Sequence, residues 1–305
     1  MDVGVALPTM AKGFDRQTFL AWCTGIDHGP FSSISTGERI TFFNPELITT
    51  LSAAAVLTER VDVMANIVVA PLHRSSMLAK QLATIDVLSH GRLVVGLGVG
   101  GRPHDYESLG ISFERRHQRV DDVARELRSL WAGQPPFEGA DPVGPSTVTP
   151  GGPRLLSGAM GPKALARAAQ WADGVNGFSI TGSEQELKSQ VEMARGAWKS
   201  AQREGEPWLG SGTFCVLGGS DPLRTLQEFG ATYLNFFGDE VARSLAKTLE
   251  IASPDSLINV LNGAERAGLK EFTVVPGTWD LECLEMMNDA VASWSKSTSR
   301  EEQDG

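Results

Sequence analysis

The sequence predicts an α/β fold, a (β/α)8 TIM barrel with insertions. Three observations lead there. Strand and helix signals alternate along nearly all of the 305 residues. Eight runs read as strands, the number such a barrel needs. Most of these runs are short and apolar rather than alternating, as suits parallel strands covered on both faces. A doubly wound open sheet is the alternative. The count of eight and the lack of a visible boundary favour one barrel domain over residues 1–305.

The first strand, 2–8, begins at once, with no basic segment and apolar run of a signal peptide before it. A helix over 14–25 leads to the second strand, 31–36, and a helix over 45–58 to the third, 61–69. The third strand is apolar except at Asn66, and a helix over 75–88 follows, with Ser75 and Ser76 as candidate N-caps. The fourth strand, 92–99, runs into Gly96, Gly98, Gly100 and Gly101. Val120, Val123, Leu127, Leu130 and Trp131 form the apolar stripe of a helix over 114–131. After the fifth strand, 154–158, Pro162 opens a helix over 162–171, at the first-turn position that proline prefers. The sixth strand, 173–178, is followed by a helix over 184–203, the seventh is 211–217, and a helix over 255–267 precedes the eighth, 271–276. A helix over 280–294 closes the pattern. The Gly- and Pro-rich segment 132–153 reads as a surface insertion. Residues 218–254 exceed what one connecting helix needs and read as a second insertion, a lid or interface element containing Tyr233-Leu-Asn-Phe-Phe237. Residues 296–305 read as a frayed, solvated tail.

With 41% hydrophobic residues the chain buries a large core without staples. Its net charge of −10 argues against nucleic-acid and anionic-membrane partners, and serves solubility. The three cysteines are far apart and form no CxxC, and Cys215 and Cys283 read as inert core thiols. No apolar run approaches the ~18 residues of a membrane span, so a cytoplasmic location is expected. The seven tryptophans read as packing residues. The five histidines show no metal spacing, so no metal site is expected, and no GxSxG elbow is present.

Candidate chemistry gathers where strands end. The glycine run is not a dinucleotide fingerprint, because it begins inside a strand and no helix opens after it. It either relieves crowding in a barrel or, with Gly98, Gly100 and Arg102, walls a flat-ligand pocket. His104 and Tyr106 follow and offer polar contacts. In Ser157-Gly158-Ala-Met160-Gly161-Pro162, small residues free the backbone N–H groups where a helix begins. That makes a phosphate site, or else an ordinary strand-to-helix loop. Glu38 and Arg39 end the second strand as an acid and base able to move protons or orient substrate, or as a rim ion pair. Asn66 either bonds a neighbouring strand or sits on backbone distorted to meet a ligand. His104 stands on the expected functional rim, and His73, just after the third strand, reads equally as a loop contact.

The runs Glu59–Pro71, Ala79–Arg92 and Gly96–Pro103, then Tyr106–Gly110 with Phe113, resemble the bacterial luciferase-like monooxygenase superfamily. The similarity resumes at Ser157–Gly174 and Ser253–Val275. The resemblance implies a luciferase-like (β/α)8 barrel, usually a dimer, that binds reduced FMN or the deazaflavin coenzyme F420. It implies a non-proline cis peptide near Ala65, Asn66 and Ile67 beneath the flavin ring. It also implies a phosphate pocket at Ser157, Gly158 and Gly161, with Met160 among the cofactor-binding residues of the same loop. Two positions depart from the family. Glu38-Arg39 stands where deazaflavin enzymes often carry Asp-His, and Val99, with Arg102 three residues on, stands where luciferase carries a phosphate-binding arginine.

The expected function is a flavin-dependent monooxygenase using reduced FMN and O2 on a small organic substrate. A separate flavin reductase would supply the FMN, the protein would be a homodimer, and Glu38, Arg39 and His104 would orient substrate and handle protons. The alternatives are an F420-dependent hydride-transfer reductase or dehydrogenase and a non-catalytic flavin-binding paralogue.

Overall fold

The computed structural model describes the backbone of residues 1–304 and the side chains of residues 1–297. Eight parallel strands close into a barrel in chain order. They are β1 (Asp2–Ala6), β2 (Ser33–Thr36), β3 (Asp62–Val69), β4 (Leu93–Gly98), β5 (Arg154–Ser157), β6 (Gly174–Asn176), β7 (Trp208–Cys215) and β8 (Glu271–Pro276). Each lies on its apolar run, with β7 starting earliest relative to the pattern. The helices between strands are α1 (Arg16–His28), α2 (Leu47–Leu57), α3 (Ser75–Leu88), α4 (Pro103–Ser108), α5 (Arg116–Trp131), α6 (Pro162–Ala168) and α7 (Glu184–Ser200). Then come α8 (Pro222–Tyr233), α9 (Asp239–Ala246), α10 (Pro254–Ala267) and α11 (Leu281–Asp304).

Four details differ from the sequence pattern. The N-cap of α3 is Arg74, which makes no side-chain cap bond, so Ser75 and Ser76 lie inside the first turn. A short helix, α4, occupies the stretch read as open rim, with Pro103 in its first turn. The helix after β5 stops at Ala168. The segment 218–254 contains α8 and α9, joined by a 3₁₀ turn, Asn235–Phe237. The expected tail over 296–305 falls outside the described side chains from residue 298 on.

The chain divides into two compact units. One comprises Met1–Ile34, Phe178–Val191 and Gly210–Gly305. Within it β8 pairs with β1 and with β7, Asp2 opposite Glu271 and Ser211 opposite Phe272. Glu271 is buried and accepts bonds from the hydroxyls of Ser32 (3.2 Å) and Ser33 (2.8 Å). Trp22 donates to the Trp279 carbonyl at 3.0 Å, which ties α1 to the loop after β8.

The other unit comprises Ser35–Gly177 and Glu192–Leu209. Its ladder runs β3–β4–β5–β6. Met64, Val94 and Leu156 pack together inside it. The segment 132–153 forms no helix or strand, so it needs side-chain anchors. Asp86, fully buried on α3, supplies one by accepting from the amides of Val148 (2.7 Å) and Thr149 (3.0 Å) and the Thr149 hydroxyl (2.9 Å). No helix among the described residues is long and apolar enough to cross a membrane.

Candidate active site

β3 is irregular at Asn66. Ala65 pairs with Val95 and Val68 with Leu97, so three steps along β3 answer two along β4. That is a β-bulge, and bulges re-aim side chains. The peptide between Asn66 and Ile67 is cis. Of the two open readings of Asn66, distorted backbone is the one observed.

The bulge seats Ile67 against three glycines. A Cβ added at Gly96 would lie 3.0 Å from Ile67 Cγ2, one at Gly98 2.0 Å from Cδ1, and one at Gly158 3.2 Å from Cγ2. The glycines of β4 and of the loop after β5 therefore first give clearance to Ile67. Of the two sequence readings of these glycines, relief of crowding is the one this packing supports, with Ile67 as the crowding side chain. Gly100 has φ +63°, a left-handed value that favours glycine, and Val69 Cγ1 stands 2.7 Å from where its Cβ would be. Ala65 is buried in the strand core, while Asn66 and Ile67 are half-buried.

Beside this surface lies a cavity of about 270 Å³. Leu97, Gly98 and Val99 line one side and the loop Ser157–Gly161 another, while His117, Asp121 and Arg167 supply its charge. Among the described residues no hydrogen bond uses the amides of Ala159, Met160 or Gly161, whereas the Gly158 amide is taken by the Leu97 carbonyl at 2.9 Å. Gly161 is extended and exposed, with nothing within 4 Å of an added Cβ. With α6 only seven residues long, the unbonded loop amides are the donors this segment offers to a ligand. Arg167 is paired to Asp121, which also accepts from the Trp171 indole at 3.1 Å. Burial, then the charges of Arg116 and Arg167, hold the His117 imidazole below its usual range. Met160 is largely exposed and Ser157 buried.

Glu38 lies where the second strand gives way to its loop, and its side chain is 4% exposed. Its Oε2 accepts from the Val69 amide at 2.7 Å, and Nε2 of His73 stands 2.9 and 3.0 Å from its two oxygens. Glu46 caps α2 and faces His73 electrostatically. Burial pushes its carboxyl up, but hydrogen bonds from Thr49 and Ile48 and the charge of His73 bring it below the usual carboxylate range.

Arg39 and Arg102 converge on Phe42, their guanidinium carbons 4.7 and 5.6 Å from the ring centre. Arg102 also donates to the Thr41 carbonyl at 3.0 Å and pairs with buried Asp105 at 3.7 Å. Asp105 in turn accepts from the Thr41 amide at 2.8 Å. Together these contacts pin the loop after β2 to α4. Tyr106 is 1% exposed, donates its hydroxyl to the Val99 carbonyl and packs edge-on against Phe113. Burial pushes that phenol up to about 12. His104 stands apart, with its side chain 80% exposed beside an equally exposed Glu107 on the surface of α4.

The structure thus brings Gly98, Ser157, Gly158, Met160 and Gly161 to one cavity, with Ile67 packed against Gly98 and Gly158, and Glu38, Arg39 and Arg102 to the rim. It leaves His104 in solvent and turns Tyr106 inward. Sequence reading missed Glu46, and it left His73 without a partner; the only signal was a histidine just past a strand's C-terminal end. Among the described residues no cluster of three His, Cys, Asp or Glu side chains could hold a metal ion.

Residues 1–255 match the family model described as luciferase-like monooxygenase. The limonene 1,2-monooxygenase of Rhodococcus erythropolis is 25% identical over 285 residues, covering 87% of this chain and 68% of that protein. The FMNH2-dependent dimethylsulfone monooxygenase of Pseudomonas fluorescens is 25% identical over 236 residues, 74% of this chain and 58% of that protein. The chain likewise spans 58% of the length of its uncharacterised relative in Mycobacterium tuberculosis. The crystal structure of the monooxygenase RslO1 from Streptomyces bottropensis superposes with a TM-score of 0.76 at 19% identity, covering 96% of this chain and 99% of that one. That likeness is one of fold.

Proposed function

The chain belongs to the luciferase-like monooxygenase family, and on that premise we propose that it is a flavin-dependent oxidoreductase acting on a small organic substrate with reduced FMN and O2. The observation that carries this reading is the cradle at the loop after β5. Three adjacent amides, Ala159 to Gly161, lack internal acceptors beside a cavity of about 270 Å³. That donor set fits a phosphate, and the adjoining surface of Ile67 over Gly98 and Gly158 fits one face of a flat ring. When bound, reduced FMN supplies the electrons that activate oxygen.

The chain's own groups then have separate tasks. The loop amides hold the phosphate, and Ile67 supports the ring. Ala65 and Asn66 shape the strand beneath it, and Gly100 lets the chain turn away. Glu38, Arg39 and Arg102 order the rim where substrate enters. Leu97, Val99 and Val120 give the cavity an apolar wall. The names of the limonene and dimethylsulfone enzymes support oxygenation as the reaction class. A homodimer is supported by exposed apolar side chains on α2 and α3, among them Val56 (60%) and Met77 (58%). A separate flavin reductase is the expected partner and the cytoplasm the expected location.

Anaerobic titration with reduced FMN and, separately, with reduced coenzyme F420 tests the cofactor. Saturable binding of FMN with oxygen consumption on admitting air supports the proposal. Binding of F420 alone sinks it in favour of hydride transfer, and binding of neither leaves a protein without cofactor chemistry.

A further inference from the structure

We propose that His73 is the proton-transfer residue of this site, with Glu38 as the residue that positions it. The proposal builds on the oxidoreductase reading above. Glu38 cannot act directly, because Val69 N–H and His73 occupy its buried carboxylate. An ionised carboxylate only accepts hydrogen bonds, so the hydrogen-bond network assigns the ring proton to Nε2 of His73. In the neutral ring the lone pair then sits on Nδ1. Among the described residues no hydrogen bond uses Nδ1, and the ring is 18% exposed. The imidazole is therefore fixed at one nitrogen and open at the other, the arrangement of a general base held by a carboxylate.

The location fits that task. Val69 ends β3, and His73 follows a single 3₁₀ turn, Ala70–Leu72. Both Glu38 and His73 thus stand at the C-terminal ends of strands, the face where such barrels place their chemistry. The titratable groups facing the pair come from two other elements. Glu46 of α2 couples to His73, and Tyr106 of α4 couples to Glu38. The phenol is committed to the Val99 carbonyl and offers no competing proton. His104, the other histidine of the rim sequence, stands in solvent.

The step itself is one proton transfer. The substrate's X–H bond breaks, its electron pair stays on X, and the Nδ1–H bond forms. The proton then leaves to water, and Nε2–H stays on Glu38 throughout.

His73→Gln separates the roles, because the glutamine amide can still donate to Glu38 but cannot take up a proton. The expected result is FMN affinity within about twofold of wild type, turnover down about 100-fold, and loss of the acidic limb of the kcat–pH profile. In Glu38→Gln turnover falls as well while FMN affinity stays near wild type, since the ring loses the carboxylate that fixes it. Nitrogen-15 spectra of the cofactor-free protein give a readout independent of turnover, with the Nε2–H tautomer expected for His73. Full turnover with the acidic limb intact in His73→Gln overturns the proposal, as does an Nδ1–H tautomer. A loss of thermal stability with an unchanged pH profile assigns the pair a structural role instead. If wild type binds no flavin, the oxidoreductase reading fails by itself, and the tautomer still decides the geometry of the pair.

Discussion

Gly161→Asp tests the anion cradle with little risk to the fold. Gly161 has φ −105° and ψ 158°, which any residue adopts, and nothing lies within 4 Å of its Cβ position. Stability should therefore change by no more than about 0.5 kcal/mol. The new carboxylate would stand beside the amides of Ala159 to Gly161. Two unit charges 5 Å apart repel by about 0.8 kcal/mol in water and about 3 kcal/mol at an effective dielectric of 20. A phosphate ester carries between one and two charges, and the loop is partly exposed, so a penalty of about 2 kcal/mol is reasonable, roughly 30-fold in Kd. Gly161→Ala fills the same space without charge and should bind within about twofold of wild type. Calorimetric titration with reduced FMN reads the loss. Riboflavin, which lacks the phosphate, should bind wild type and Gly161→Asp alike. Equal FMN affinity in Gly161→Asp and wild type would refute the placement of the phosphate at this loop.

Other perturbations follow from packing and charge. Gly98→Ala puts a methyl 2.0 Å from Ile67 Cδ1, so denaturant unfolding should show a loss of about 1–3 kcal/mol as Ile67 is displaced; no loss would mean that Ile67 turns away freely. Gly174→Ala meets the Trp208 carbonyl oxygen at 2.0 Å, and backbone has no rotamer to change, so the same measurement should give the larger cost of the two. Asp86→Ala leaves the Val148 and Thr149 amides without their acceptor, and hydrogen exchange should speed up across 145–152 with about 2–3 kcal/mol of stability lost. Burial raises the thiols of Cys23 to about 12 and Cys283 to about 11, and lifts Cys215 well above the usual thiol range, so a disulfide reagent at pH 8 should find no reactive thiol until the protein unfolds. Glu184 is held down at about 2 from 4.5 by hydrogen bonds from Arg266 and Lys188. A lowered pKa gives stability that is present above pH 4.5 and lost as pH falls toward 2, and Glu184→Gln should flatten that small slope in acid titrations.

Much of the barrel was legible because its strands are apolar runs bounded by glycine and charge. β8 lies where its run predicts, and α3 matches its periodicity from end to end. What periodicity could not give is anything shorter than two helical turns or anything that depends on pairing. α4 has six residues, too few to show a period. The bulge at Asn66 exists only in the register of β3 against β4, so the sequence flagged a polar residue without showing its cause. The glycines of β4 were plain, but their occupant, Ile67, lies about thirty positions away on another strand. Glu38 and His73 were each noticed, while their bond spans 35 residues and two strands. Sequence thus singled out the loop after β5 through its small residues, and only the three-dimensional arrangement showed which of its amides are free of internal acceptors.

The most direct test of the account is a crystal structure of the protein with FMN. The phosphate should accept hydrogen bonds from the amides of Ala159, Met160 and Gly161, with the ring resting on Ile67. A phosphate bound elsewhere, with those amides still free and Ile67 out of contact with the flavin, would contradict it.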